Sequence, residues 1–216
     1  ELKKEGGKLY AFSGDLSLLK FCKQFQVELK KIGTINNLIN CAGVQGEISP
    51  FIDSDLKNWQ KGLVNNIFAV INSIKMLLPD MIKSKYGKII NFSGGGATSS
   101  RPNFSSYSAS KIAIVRFSEI IADELKNSHI DINAIAPGPC NTRMMDDILK
   151  AGIKSGEREI INANYIKESG GTPLESIIKL VSFLLSKESD GISGKLISAV
   201  WDDWNTKEFQ VKLKND

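Results

Sequence analysis

Residues 87–96 read GKIINFSGGG, and the run Lys88 to Phe92 (KIINF) within them decides the fold. A short, continuously apolar run closed by Ser93 and three glycines reads as a strand covered on both faces. Before it, Asp55 to Ser84 carries Leu63, Ile67, Val70, Ile71, Ile74, Leu77, Leu78 and Met81 at helical spacing. That is a long helix, which Pro79 should kink. After it, Ser106 to Lys126 repeats the helical spacing with Ile112, Val115, Phe117, Ile120, Ile121 and Leu125. Further out lie the strands Asn37–Asn40 (NLIN), Ile130–Ala136 and Lys195–Val200 (KLISAV), with Lys8–Ser13 (KLYAFS) as a first short strand. Leu16–Lys31 and Pro173–Ser186 read as helices, the second with proline at its start. Residues 141–172 are mixed and polar, a substrate loop or lid with short helices. Strands alternating with helices predict an α/β fold, a doubly wound parallel sheet in a single domain over 1–216.

The 216 residues suffice for one domain, with 42% hydrophobic and 24% charged residues as in ordinary globular chains. A net charge of +4 from scattered lysines, without a basic stripe interleaved with aromatics, argues against nucleic acid. No apolar run reaches the roughly 18 residues of a membrane helix, and residues 1–9 are too polar for a signal peptide. Cys22, Cys41 and Cys140 are odd in number and widely spaced, which predicts free thiols in a reducing compartment, the cytoplasm. Metal-ligand spacing is absent, so no metal is expected. His129 is the one histidine and opens a strand, a structural position and not that of a catalytic base. The chain begins at Glu1, without methionine, which predicts a fragment or a trimmed product.

The chemistry gathers around Tyr107 and Lys111, four residues apart and so on one helix face. An ammonium beside a phenol favours the phenolate and lowers its pKa from about 10. A phenol so tuned can exchange a proton with an alcohol or a carbonyl. Such a pair alone is common by chance. Here Ser93 closes the strand 88–92, Asn40, Ala42 and Gly43 close the strand 37–40, and Pro137, Gly138 and Thr142 follow the strand 130–136. Asn66 lies in the long helix. Each is bland as a turn or cap; together, at successive strand ends where α/β ligands bind, they form a constellation.

With these residues in this order, the chain resembles the short-chain dehydrogenases/reductases from about residue 5 to residue 200. The resembling segments are Asp15-Leu16, LINCAG (38–43), WQKGLVNN (59–66), GKIINFS (87–93), YSASK (107–111), INAIAPG (132–138) and Gly191–Gly194. The resemblance implies a Rossmann-like oxidoreductase that interconverts an alcohol and a carbonyl with NAD or NADP. Tyr107 would be the acid/base, Lys111 would tune it and hold the nicotinamide ribose, and Ser93 would steady the substrate. Asn66 would hold a water that links Lys111 to solvent. Asp15 and Leu16 would lie at the adenine, and Asn40, Ala42 and Gly43 at its ribose. Pro137, Gly138 and Thr142 would flank the nicotinamide. Family members pair the equivalents of helices 55–84 and 106–126 between subunits, so a homodimer or homotetramer is expected. Trp201 and Trp204 would pack on the substrate pocket, at a subunit contact or simply on the surface.

The sequence departs from the family in three places. The glycine-rich TGxxxGxG loop and its βαβ unit, roughly 30 or more residues, are absent before Glu1. Gly94-Gly95-Gly96 stands in the wrong place to replace it. The loss would leave a gap in the sheet beside Asn37–Asn40, and Lys8–Ser13 is expected to slide over and fill it. Cofactor binding is expected to be weak or absent in this chain. The family's serine sits 13 residues before the tyrosine, which here is Gly94, so Ser93 is the nearest candidate, with Ser105 and Ser106 as helix N-caps. Cys41 replaces the second asparagine of the family's NNAG. A remnant or non-catalytic subunit deficient in cofactor binding is the competing reading. Epimerase or dehydratase chemistry is disfavoured by the lack of a large C-terminal substrate domain.

Overall fold

A computed structural model describes residues 8–215; Glu1 and the polar start over 1–7 lie outside them. Four parallel strands form one sheet in the order β1 (Asn37–Asn40), β2 (Gly87–Phe92), β3 (Ile130–Ala136) and β4 (Leu196–Ser198). The helices are α1 (Leu19–Ile32), α2 (Leu56–Ser84), α3 (Ser105–Glu124), α4 (Arg143–Ala151), α5 (Glu157–Ser169), α6 (Leu174–Leu185) and α7 (Lys207–Asn215). The expected doubly wound α/β architecture is therefore present.

The sheet is covered on both faces, and the two-residue period of a strand sorts its side chains between them. Ile89 and Ile132 join Val70, Ile74 and Met81 of α2 and Ile114 of α3 in one apolar cluster. Ile90 and Ile135 turn to the other, among Ile177, Leu180 and Leu184 of α6 and Leu213 of α7. By length and composition alone α2 is apolar enough to cross a membrane, a test that a core helix also passes. Here it packs against α1, α3, β1 and β2, which accounts for its apolar face.

The strand expected over Lys8–Ser13 does not form, and it does not pair with β1. Among the described residues β1 is instead the edge of the sheet. A strand exists only where a neighbour takes up its backbone groups. This segment stays exposed and gains a side-chain contact: the Phe12 ring lies 5.0 Å from that of Phe25 on α1. Ser105 and Ser106 are likewise not N-caps but the first residues of α3. Their hydroxyls fasten Trp59 of α2: Trp59 Nε1 donates to Ser105 Oγ at 2.9 Å, and Ser106 Oγ donates to the Trp59 carbonyl at 2.6 Å. Gly62 makes this approach possible, because a Cβ there would stand 2.7 Å from Gly46 Cα and 2.9 Å from Ser106 Oγ.

Two polar side chains of β2 survive burial because they are partnered. Lys88, 2% exposed, pairs with Asp131 and Asp190, both at 2.7 Å, and donates to Ser189 Oγ. Burial alone would push its ammonium down; the two carboxylates outweigh that and hold it above the ordinary lysine value. Asn91, fully buried, accepts from Asn40 Nδ2 at 2.8 Å and donates to Ser118 Oγ at 2.9 Å. Asn40 Oδ1 in turn accepts from Ser73 Oγ at 2.7 Å. A polar row thus crosses the sheet from α2 to α3. Asn91→Ala removes one hydrogen bond from each of Asn40 and Ser118, which keep Ser73 and the Ile114 carbonyl, and is expected to cost about 2 kcal/mol of stability in urea unfolding.

Candidate active site

The carboxyl end of β2 runs directly under the first turns of α3. Tyr107 and Lys111 stand on consecutive turns of that helix, 6% and 4% exposed. Lys111 Nζ donates to the Phe92 carbonyl, the last of β2, at 2.8 Å and lies 5.5 Å from the centre of the Tyr107 ring. An ammonium has three donors, so two remain for a ligand. Burial pushes Lys111 down from 10.5 to about 8, with Cys41 acting the other way. The Tyr107 phenol moves up, not down as the sequence led one to expect: burial dominates, Cys140 adds to it, and Arg101 opposes it. In this arrangement Lys111 serves the strand carbonyl, and desolvation prevails at the phenol.

Ser93 extends β2, its amide donating to the Ile135 carbonyl at 2.8 Å. It is 4% exposed, and its hydroxyl has no hydrogen-bond partner. Buried hydroxyls normally find one, so Ser93 Oγ stands out as unanswered among the described residues, as do Ser108 Oγ and Gln45 Oε1. Gly94 follows, at the family's serine position. A Cβ on it would run into the Tyr107 hydroxyl, so the phenol occupies the space a serine would need. Asn66 binds the loop after β1 through both backbone groups of Val44 at 2.9 Å, and donates to Ser110 Oγ at 3.0 Å. Gly43 lies between Asn66 and Lys111: a Cβ there would stand 3.4 Å from Asn66 Oδ1 and 3.5 Å from Lys111 Nζ. The structure therefore brings Asn66, Ser93, Tyr107, Lys111 and Gly43 to one place.

The remaining candidates are arranged less tightly. Asn40 spends its side chain on Ser73 and Asn91, within the helix–sheet interface. Ala42 is exposed next to Gly43. Gly138 adopts φ 80, and a Cβ there would meet Thr172 and Val200, which fixes the Pro137–Pro139 turn close against the segment before α6. Thr142 precedes α4 without a side-chain cap, its carbonyl accepting from Met145. Asp15 is exposed, and Ser17, through its side chain first and then its amide, which donates to Asp15 Oδ1 at 2.8 Å, holds the carboxyl below its ordinary value. Leu16 packs into the α1–α2 cluster. His129 sits exposed at φ 58 before β3, at the opposite end of the sheet from Tyr107. Trp204 stacks on Phe183 of α6 while Trp201 is 72% exposed. The three cysteines are free thiols.

Residues 141–172 form α4, a short 3-10 turn and α5, and they roof the site. Met145, Ile148, Ala163 and Ile166 enclose Phe104 and Tyr107, with Met144 and Ile48 beside them. Arg101, just before α3, reaches Glu159 of α5 through Nε at 3.2 Å and Nη2 at 2.7 Å. Its guanidinium lies 3.8 Å over the Phe104 ring and 5.6 Å from the Tyr107 ring. No local pattern points to this pair, whose members stand 58 residues apart.

The family model described as short chain dehydrogenase matches residues 1–152. The chain is 27% identical over 194 residues to nodulation protein G of Azospirillum brasilense, covering 89% of this chain and 76% of that protein. It is 25% identical over 172 residues to 2,3-dihydroxy-2,3-dihydro-p-cumate dehydrogenase of Pseudomonas putida, covering 79% and 64%. To the (S)-acetoin-forming diacetyl reductase of Staphylococcus epidermidis it is 29% identical over 205 residues, covering 91% and 79%. The chain thus spans 64% to 79% of the length of these relatives. Its fold is that of NAD+-bound xylitol dehydrogenase, at a TM-score of 0.80 and 22% identity over 91% of this chain and 80% of that one.

Lys111 carries a stability signature. Below pH 8 it is charged in the folded and unfolded states alike, and the full cost of burying the ammonium is present. Between about 8 and the ordinary 10.5 the unfolded chain holds the proton more tightly, so this group's contribution to stability rises with pH. Lys111→Met is therefore expected to be more stable than the wild type at pH 7, by about 1–2 kcal/mol, with the gap closing towards pH 10.5. Urea unfolding at both pH values measures it.

Proposed function

We propose, on the premise that this chain belongs to the short-chain dehydrogenase family, that it interconverts an alcohol and a carbonyl with a nicotinamide cofactor, NAD or NADP. One observation carries the reading. Tyr107 and Lys111 are buried together at the carboxyl end of β2, beside a Ser93 hydroxyl that lacks a partner.

The residues present fit the nicotinamide half of such a cofactor. Lys111 keeps two donor positions, suited to the two hydroxyls of a ribose. Gly43 presents no side chain to Lys111 and Asn66, so the backbone of the β1 loop passes close to both. Pro137, Gly138 and Thr142 stand at the end of β3, in line with a nicotinamide contact. Ala42 is the other small residue of the β1 loop. On the adenine side, Asp15 and Leu16 precede α1, and Asn40 contributes through its backbone, its side chain being engaged in the sheet. When bound, the cofactor supplies the hydride.

The chain's own residues handle the proton. In the reducing direction Tyr107 donates its phenolic proton to the carbonyl oxygen, and in the oxidising direction it takes one back. Ser93 donates a hydrogen bond to the same oxygen and holds it near the phenol. Below pH 8 Lys111 is mainly an ammonium, which stabilises the phenolate as it forms. Asn66 Oδ1 keeps a second lone pair free, and a water held there beside Lys111 would return the proton to solvent. The roof over 141–172, with Met144, Met145 and Ile148, excludes bulk water and favours a small carbonyl compound with an apolar flank.

Exposed apolar residues on α2 and α3, Phe68 at 46% and Ile112 at 50%, fit a homodimer or homotetramer built on these helices. Free thiols fit the cytoplasm.

Diacetyl is the first probe, since it is the substrate in the name of the Staphylococcus epidermidis relative. Turnover with NADH or NADPH is expected. Tyr107→Phe should lower kcat/KM about 1000-fold, and Ser93→Ala roughly 10- to 100-fold. Gly94→Ala should also lose at least about tenfold by displacing the phenol. Turnover unaffected by Tyr107→Phe would reject these roles. Absence of both turnover and calorimetric binding of either cofactor would favour the remnant reading. In light scattering the wild type should be oligomeric and Ile112→Glu shifted towards monomer; a monomeric wild type contradicts the subunit assignment.

A further inference from the structure

Three separate parts of the chain meet at one side chain outside the proton-handling set. Arg101 packs against the glycine loop that follows Ser93, its Cβ 3.4 Å from where a Gly96 Cβ would stand and its Cδ 3.9 Å from that of Gly95. It stacks on Phe104, which is fully buried and leads into α3 three residues before Tyr107. It then closes on Glu159 of α5 with both Nε and Nη2 on one carboxylate oxygen. The two side chains are only 15% and 20% exposed, so solvent weakens this pair less than a surface one. A second contact lies alongside. Asn103, at φ 70, accepts from the Ser49 amide through its carbonyl, and its Nδ2 lies 3.2 Å from where a Gly156 Cβ would stand, at the turn into α5.

The apolar contacts alone do not explain the charged pair. Met145, Ile148, Ala163 and Ile166 already cover Phe104 and Tyr107. Burial by such contacts is not directional, whereas an ion pair on a stacked guanidinium fixes distance and angle. Within the roof, Met145 and Ile148 of α4 pack with Ala163 and Ile166 of α5, so what fixes Glu159 also bears on the Met144–Met145 wall.

We propose that Arg101 is a positioning residue of this site, holding α5 closed over Tyr107 through Glu159 and setting the Tyr107 ring through its stack on Phe104. The inference rests on the oxidoreductase reading for its kinetic consequence, but not for its structural one. The two functions of Arg101 separate by variant. Glu159→Gln releases the roof and leaves the stack. Arg101→Lys keeps an ion pair and loses the planar stack. Arg101→Gln removes both.

Hydrogen exchange of the protein without cofactor reads the roof directly. Amides of 157–169 should exchange about tenfold faster in Glu159→Gln and Arg101→Gln, with β2 and β3 amides unchanged, and should recover in Arg101→Lys. Diacetyl reduction then reads the site. Glu159→Gln should raise KM about tenfold at nearly constant kcat, while Arg101→Lys and Arg101→Gln should lower kcat about tenfold or more. The charge-swapped pair Arg101→Glu with Glu159→Arg should restore the protection of 157–169 but not kcat. Unchanged exchange over 157–169 in both Gln variants, or a loss of protection spread evenly over the whole chain, overturns the proposal. If the wild type shows no turnover with either cofactor, the oxidoreductase reading fails, and the exchange pattern still decides whether Arg101 holds the roof.

Discussion

The structure depends on one constraint: β2 is buried along both faces, and every polar group it carries must be answered from elsewhere. Apolar residues answer one another across the sheet, Ile89 towards α2 and α3 and Ile90 towards α6. The polar residues impose the finer arrangement. Lys88 draws Asp131 and Asp190 to the amino end of the sheet, and Asn91 draws Asn40 and Ser118 to its middle. At the carboxyl end the final carbonyl of β2 draws in Lys111. The strand that organises the core thereby aims the lysine of the site, so the position of Lys111 follows from a backbone hydrogen bond and not from a surface charge pattern.

A gradient of satisfaction runs along that strand. Lys88 has three partners, Asn91 uses both its oxygen and its nitrogen, Lys111 is engaged with one of three donors, and the Ser93 hydroxyl has no partner among the described residues. An unpartnered buried hydroxyl costs roughly 1–3 kcal/mol. The cost falls where a ligand oxygen could relieve it, and the same residues that stabilise the fold lead by small steps into those that weaken it.

Much of this was legible in the sequence, for reasons that are local. Strand and helix periods placed β1 to β4 and the long helices within a few residues, because both faces of the sheet had to be covered. The Tyr107–Lys111 spacing and the order of the strand ends singled out the site. What was not legible is non-local. Lys8–Ser13 has the composition of a strand, but a strand needs a partner, and no composition reports one. Ser105 and Ser106 look like caps until Trp59 of α2 claims them from 46 and 47 residues away. Asn40 reads as a ligand residue by its position, yet its side chain is taken up by the polar row. The upward displacement of the Tyr107 phenol is not legible either, because the spacing of a helix reports nearness, whereas burial decides the sign.

That sign has a consequence for how the site can work. Burial pushes the Tyr107 phenol up and the Lys111 ammonium down, each towards its neutral form. Neither shift alone favours proton transfer near neutrality. A phenolate, however, is the counterion that a buried ammonium lacks, and the ammonium is the counterion that the phenolate lacks. Their attraction grows as water leaves, because the effective dielectric falls. That attraction offsets part of the desolvation that pushes each group towards its neutral form, so on the proposed acid–base reading a phenolate formed at Tyr107 is answered by the Lys111 ammonium and not by bulk water.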